Sequence, residues 1–179
     1  MSRFFPHPPY AEDQPLGRTI LTTHVLTRGA TTGTLVALAV LAGRRTVGWL
    51  RSAPVPAPSA AHVLRSAGTG ALWGVGFLGL ALVGRMWGRE DIEWRDRSWR
   101  LLENQGQLET DDWTYGGAVV GLVGAAVGAR RGGAAAAAAA ASLTGRELLG
   151  AAGVGTAVGT VGYMAWRYGV HRGKFPAKQ

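Results

Sequence analysis

Hydrophobic residues are concentrated in four blocks along the chain, and charged or proline-containing segments separate these blocks. The second and fourth blocks each contain 19 residues without a charged side chain, whereas the first and third are shorter. A transmembrane helix needs about 20 predominantly apolar residues, so the longer blocks are typical of membrane spans. The pattern predicts an all-α, multi-spanning membrane protein with about four short transmembrane helices. The expected spans are residues 22–43, 66–84, 114–130 and 148–166.

A soluble bundle of four helices is the alternative fold for the same blocks. Helices of a soluble bundle carry a polar face that recurs with the helical period. The second and fourth blocks contain no such face. The membrane interpretation is therefore favoured, and it predicts one transmembrane domain at residues 19–168.

The segments outside the spans differ in composition. Residues 1–18 contain four of the eight prolines and are expected to form an extended tail, because proline removes a backbone donor and disfavours helix in the preceding residue. Residues 169–179 form a basic C-terminal tail. The alanine-rich connection at 132–142 leaves three alternatives open, since its alanines could extend the third helix, begin the fourth, or form a separate helix.

The segment 85–113 is a charged loop that cannot cross a bilayer. It contains five arginines and eight of the eleven acidic residues, interleaved with tryptophan and leucine. We expect a solvated helical segment followed by a break near Asn104-Gln105-Gly106. Tryptophans anchor interfaces and rim charges set their register, so this loop is a candidate docking surface for a partner. The residues predicted to dock are Trp94, Arg95, Arg97, Trp99 and Arg100.

Small residues spaced four apart occur in every hydrophobic block. In lipid, such residues let two helix backbones approach closely, and the contact replaces the hydrophobic gain that water would provide. The alternative is that a genome rich in G and C inflates glycine and alanine without any packing role. The glycines predicted to pack helices are Gly29, Gly33, Gly70, Gly74, Gly117, Gly121, Gly124, Gly128, Gly155 and Gly159.

The charge of the chain agrees with a membrane environment. Nineteen Lys and Arg against eleven Asp and Glu give a net charge of +8, and the arginines flank the hydrophobic blocks. No nucleic-acid-binding fingerprint is present, so nucleic acid is not an expected partner. With four spans, the termini and the charged loop share one side, which carries twelve Lys and Arg against seven opposite. Ten of the eleven acids fall on that same side, so the orientation stays open.

No catalytic, cofactor-binding or metal site is predicted. The absence of cysteine excludes disulfides, thiol catalysis and iron–sulfur ligation. The four histidines lie in separate regions, and His24 near the first span is expected to face the surface. Arg28 is expected to reach the membrane interface with its long side chain. The clear spans contain no ionisable residue, which argues against transport chemistry.

Residues 93–121, EWRDRSWRLLENQGQLETDDWTYGGAVVG, combine a charged Trp-Arg-Leu-Leu-Glu-Asn segment with a Gly-Gly span. Together with the start FFPHPPY and the glycine-rich first span, they resemble the NUXM type of fungal complex I accessory membrane subunit. The four short spans with paired small residues are also similar to the Tim17/Tim22/Tim23 family of mitochondrial inner-membrane proteins. Arg28 in the first span and the poly-alanine insertion depart from the likeness.

The resemblance implies a non-catalytic accessory subunit in the membrane arm of mitochondrial NADH:ubiquinone oxidoreductase, supporting assembly or stability. It implies a multi-pass location in the mitochondrial inner membrane, with other membrane subunits and phospholipids as partners. No cleavable presequence is evident, because the start is acidic and rich in proline. Structural lipids such as cardiolipin fit this expectation, and no other cofactor is expected. The alternative is a component of an inner-membrane protein translocase.

Overall fold

The computed structural model describes residues 2–53, 55–131 and 143–175, and within these ranges the chain is helical and without strands. Its α-helices are α1 Gly17–Leu50, α2 Ala60–Met86, α3 Asp91–Glu103, α4 Gln105–Arg131 and α5 Gly145–Met164. A π-helical segment, Ala165–Val170, continues α5. The prediction of an all-α protein is confirmed for the described residues.

Three of the helices are long and apolar enough to cross a membrane. They are α1, α2 and α5 with its π-helical continuation, Gly145–Val170. Helix α4 does not reach the same apolar character, because its first turns carry Glu109, Asp111 and Asp112 and its last turn carries two arginines. In the part of the chain that the structure describes, three helices of this membrane protein are thus long and apolar enough to cross a bilayer, whereas four spans were predicted.

The predicted spans all fall inside helices, but the helices are longer. Helix α1 contains 34 residues, which corresponds to about 51 Å, whereas the bilayer core is about 30 Å thick. The first span was expected at 22–43, so α1 continues past it at both ends. The other expected spans, 66–84, 114–130 and 148–166, lie within α2, within α4, and within α5 with its continuation.

The N-terminal residues 1–18 are not a free extended tail in the described part. Two 3-10 turns form at Ser2–Phe4 and Ala11–Asp13, and α1 already begins at Gly17. The segment folds back on α3, where the Trp99 indole donates a hydrogen bond to the Pro8 carbonyl at 2.9 Å. The half-buried Trp99 and the partly exposed Arg95 of α3 supply hydrogen-bond partners for the backbone of this segment, so the segment is held against the bundle.

The charged segment 85–113 begins in the last turn of α2, contains all of α3, and ends in α4. Asn104 ends α3, and its side-chain oxygen accepts a hydrogen bond at 3.1 Å from the backbone N–H of Gln107 in the first turn of α4. The predicted break at 104–106 coincides with this residue. The prediction that all of 85–113 is solvated is wrong for its last residues, which belong to α4 and include the buried Asp111.

The long helices form two packed pairs, α1 with α2 and α4 with α5, and α2 packs against α5 to join them. Small side chains make this join close, because an added Cβ at Gly68 would overlap the backbone of Arg146 in α5. The largest side chains of α2 face outward, with Trp73 77% and Phe77 72% exposed. Small residues therefore form the contacts between the long helices, and many bulky apolar groups lie outside, as in a membrane bundle.

The start of α5 is fixed by its own sequence. Thr144 caps the helix by accepting a hydrogen bond from the Glu147 backbone N–H, while the Glu147 carboxylate accepts one from the Thr144 backbone N–H. This reciprocal capping box satisfies two otherwise unpaired donors. The alanine-rich connection at 132–142 lies outside the described residues, as do 176–179 of the predicted basic tail.

Candidate functional site

The first pair of glycine positions lies at the contact between α1 and α2. A Cβ added at Gly29 would lie 2.7 Å from the carbonyl oxygen of Gly74, and one added at Gly70 would lie 2.6 Å from the Ala37 Cβ. A Cβ added at Gly33 would overlap the backbone of Gly70. The two backbones are in direct contact here, and no side chain fits between them.

The second pair repeats this arrangement between α4 and α5. An added Cβ at Gly117 or Gly121 would overlap the backbone of α5, and one at Gly155 or Gly159 would overlap that of α4. The bundle thus contains two similar glycine-mediated contacts, each with two glycines per helix. By contrast, a Cβ at Gly124 or Gly128 would meet no described atom within 4 Å, so these two predicted packing positions contact no helix in the described chain.

A buried ion pair joins α1 to α4. The Arg28 guanidinium donates to the Asp111 carboxylate at 2.5 Å, and the Asp111 side chain is 2% exposed. His24 Nδ1 lies 3.4 Å from the other carboxylate oxygen of Asp111. Arg28 and His24 therefore do not face the surface as expected. Arg28 is also adjacent to Gly29, whose contact with Gly74 places it well inside the helix packing.

Hydroxyl groups extend this ion pair into a polar network. Arg28 donates to the Thr114 hydroxyl at 3.3 Å, and that hydroxyl lies 2.8 Å from the hydroxyl of Thr160 on α5. The hydroxyls of Thr27 and Tyr115 lie 2.9 Å apart. Three helices thus meet around one carboxylate, and each polar group has a partner, which lowers the cost of removing it from water.

A second ionic cluster lies between α4 and the end of α5. The Arg167 guanidinium pairs with the Glu109 carboxylate, which also accepts a hydrogen bond from the Tyr163 hydroxyl at 3.1 Å. Arg167 is 3% exposed and donates to the Lys174 carbonyl at 2.6 Å. Its guanidinium carbon lies 4.6 Å from the centre of the Phe175 ring. This cluster holds the C-terminal residues against the bundle.

The sequence missed both clusters for a specific reason. Glu109 and Asp111 are accompanied by six further acidic residues in the segment 85–113, and this composition predicts a solvated loop. Composition alone does not distinguish a buried acidic side chain from an exposed one. The helical period does give a signal. Asp111, Thr114 and Tyr115 are three and four apart, so they share one face of α4.

The predicted docking residues are partly used within the chain. Trp99 stacks on His7 with ring centres 5.4 Å apart, Arg95 donates to the Glu12 carbonyl at 2.7 Å, and Arg18 lies over the Trp94 ring at 5.7 Å. These three side chains hold the N-terminal segment. Arg97 and Arg100 lie on the other face of α3, where Arg100 pairs with Asp96 at 3.0 Å. Docking of a partner on α3 stays a prediction.

Comparison with known proteins gives no assignment, since no family model, curated protein or solved structure matches the chain. The contacts described above are those by which helices pack against one another. Its buried carboxylates and guanidinium groups are bound to one another across helices, and its backbones touch at glycines. In the described ranges, no three His, Asp or Glu side chains lie close enough together to hold a metal ion.

Proposed function

We propose that this chain is a non-catalytic accessory subunit of the membrane arm of mitochondrial complex I, where it supports assembly or stability. The observation that carries the proposal is the distribution of side chains: glycines and alanines lie where the long helices touch, while many large apolar groups on α1, α2 and α4 face outward. Such a surface suits contact with other membrane helices and lipids. The link to complex I in particular comes from the resemblance of residues 93–121.

The proposal includes four membrane crossings, with α4 as the fourth. The apolar part of α4 is short, but its backbone contact with α5 over Gly117 and Gly121 places it beside a helix that is long and apolar enough to cross a membrane. A crossing helix can be short when its polar residues pair with neighbouring helices, as Glu109 and Asp111 do. The proposed location is the inner mitochondrial membrane, with α3 outside the bilayer.

Cysteine labelling tests this topology. Because the chain contains no native cysteine, each label reports only the position of the introduced cysteine. Single cysteines at Ser52, between α1 and α2, and at Arg100 on α3 are expected to react with an impermeant maleimide from opposite sides of the membrane. A third cysteine at Arg172 should react from the same side as Arg100. Reaction of positions 52 and 100 from one side would contradict the four-span arrangement.

Deletion of the gene tests the assignment to complex I. We expect native gels of the inner membrane to show loss of the mature complex or a smaller subassembly, with a matching fall in NADH:ubiquinone oxidoreductase activity. Re-expression of the intact chain serves as the control. If complex I stays intact and active while import of multi-spanning carrier proteins fails, the translocase alternative replaces this proposal.

A further inference from the structure

An open apolar groove runs along the outer side of the α1–α2 pair. Its volume is about 940 Å³, at the upper end of ordinary small-molecule sites. Val36 and Val40 of α1 line one wall, and Trp73 and Phe77 of α2 line the other. All four are more than half exposed, so the described chain leaves the groove uncovered.

One end of the groove is cationic. Arg44 of α1, His62 and Arg65 of α2, and Arg146 of α5 line this end, so three helices contribute to it. Arg65 pairs with Glu147 at 2.8 Å, whereas Arg44 and Arg146 take part in none of the ion pairs of the described residues. The other ten acidic residues lie in the N-terminal segment, in or beside α3, or in the first turns of α4, at the opposite end of the bundle.

The length of the groove matches one leaflet. Its apolar lining on α1 runs from Gly29 to Leu41, which is about 18 Å of helix, and the cationic end begins at Arg44. Half of a bilayer core is about 15 Å thick, whereas a spanning helix of a partner requires contact over about 30 Å. The groove therefore has the dimensions of an acyl chain beneath a headgroup and covers only part of the length of a spanning partner helix.

A second groove in the same molecule provides an internal comparison. It lies over α4 and α5, has a volume of about 680 Å³, and is lined by residues such as Val120 and Val158. Among the side chains that the structure describes, Asp112 is the charged residue in its lining, and no arginine or lysine lines it. Two grooves of similar apolar character thus differ in the sign of charge at their polar ends.

We infer that the α1–α2 groove is a binding site for an anionic phospholipid, with an acyl chain between α1 and α2 and the phosphate at Arg44 and Arg146. An anionic headgroup supplies the negative charge that these two arginines lack within the described chain, at the depth where the apolar lining ends. The attraction between lysine or arginine and anionic lipid is well established physically. The inference is independent of the complex to which the chain belongs.

Lipid titration of the purified full-length chain in detergent tests this site. We expect phosphatidylglycerol to bind and to raise the unfolding temperature more than phosphatidylcholine with the same acyl chains. The double substitution Arg44→Gln/Arg146→Gln should weaken the affinity for phosphatidylglycerol about 30-fold, from the loss of two arginine–headgroup interactions. The matched control, Arg45→Gln/Arg51→Gln, removes the same charge at the same end from residues that do not line the groove, and it should bind as the wild type does.

A second variant separates the acyl chain from the headgroup. Val40→Trp fills the groove without changing charge, and it should reduce binding of phosphatidylglycerol while leaving the fold intact, because Val40 is 55% exposed. Equal protection by inorganic phosphate or by phosphatidylcholine would overturn the lipid assignment. Unchanged binding in Val40→Trp, or an equal loss in both arginine pairs, would overturn it as well. A loss of assembly without any loss of lipid affinity would assign the groove to a protein partner instead.

Discussion

Replacement of Asp111 by Asn is expected to lower the free energy of unfolding by about 3–5 kcal/mol, because it leaves the Arg28 guanidinium buried without its counter-charge. Among the polar groups that it contacts in the described chain, Arg28 then retains only neutral acceptors, namely the Thr114 hydroxyl and the amide oxygen that replaces the carboxylate. Titration of the detergent-solubilised protein with SDS, followed by circular dichroism, measures this change.

The neighbouring residue provides a matched control. Asp112 has the same side chain and pairs with Arg3 at 2.5 Å, but its side chain is 38% exposed and that of Arg3 is 53% exposed. Exposed ion pairs contribute about 0–1 kcal/mol, so Asp112→Asn should be nearly neutral. Equal effects of the two substitutions would contradict a structural role for the buried pair.

A double substitution distinguishes a structural ion pair from a functional one. Replacing both members with apolar groups, as in Arg28→Met/Asp111→Leu, removes the buried charges together and is often neutral or stabilising in proteins. We expect this variant to recover most of the stability lost in Asp111→Asn. Recovered stability combined with failed assembly would mean that the charges act on a partner.

Replacement of Gly155 by Leu is expected to separate α4 from α5 and to cost about 3 kcal/mol or more. Its Cβ would overlap the backbone carbonyl of Gly117, and a backbone atom cannot rotate away as a side chain can. Gly70→Leu should act in the same way on α1 and α2. The unfolding temperature in detergent and the yield of the native assembly both report the loss.

Leucine substitutions are expected to have the opposite effect at glycines that have no neighbouring helix. Gly124 in α4 and Gly76 in α2 have no described atom within 4 Å of an added Cβ. Glycine is about 1 kcal/mol poorer than alanine in a helix, and leucine is close to alanine, so Gly124→Leu and Gly76→Leu should be neutral or mildly stabilising. If all four leucine substitutions behave alike, the glycines reflect composition and not packing.

The helical fold and the glycine contacts followed from local pattern. Uncharged blocks predicted helices at the right places, and spacing of four placed Gly117 and Gly121 on one face, because that spacing is close to one helical turn. What the pattern could not give is the pairing of helices. Whether Gly124 or Gly121 meets α5 depends on the angle at which two helices cross, and no residue within α4 determines that angle.

The local sequence pattern also could not predict which charged side chains are buried. Asp111 and Asp112 are adjacent and chemically identical, yet Asp111 is buried beside Arg28 of α1 whereas the Asp112 side chain is 38% exposed. Their side chains point in directions about 100° apart around the axis of α4, and the position of α1 determines which of them is buried. Likewise, the sequence predicted an extended N-terminal segment because the Trp99 indole lies 91 positions from Pro8 in the chain. This indole donates a hydrogen bond to the Pro8 carbonyl.

The Arg28–Asp111 pair also joins two residues that are synthesised at different times. Ribosomes complete the hairpin of α1 and α2 before they reach residue 111, so the first half of the chain carries an arginine whose counter-charge does not yet exist. A prematurely terminated chain would keep that uncompensated charge inside a membrane, where it is costly. The ion pair therefore makes the stability of the α1–α2 hairpin in a membrane depend on the presence of α4, which supplies the counter-charge.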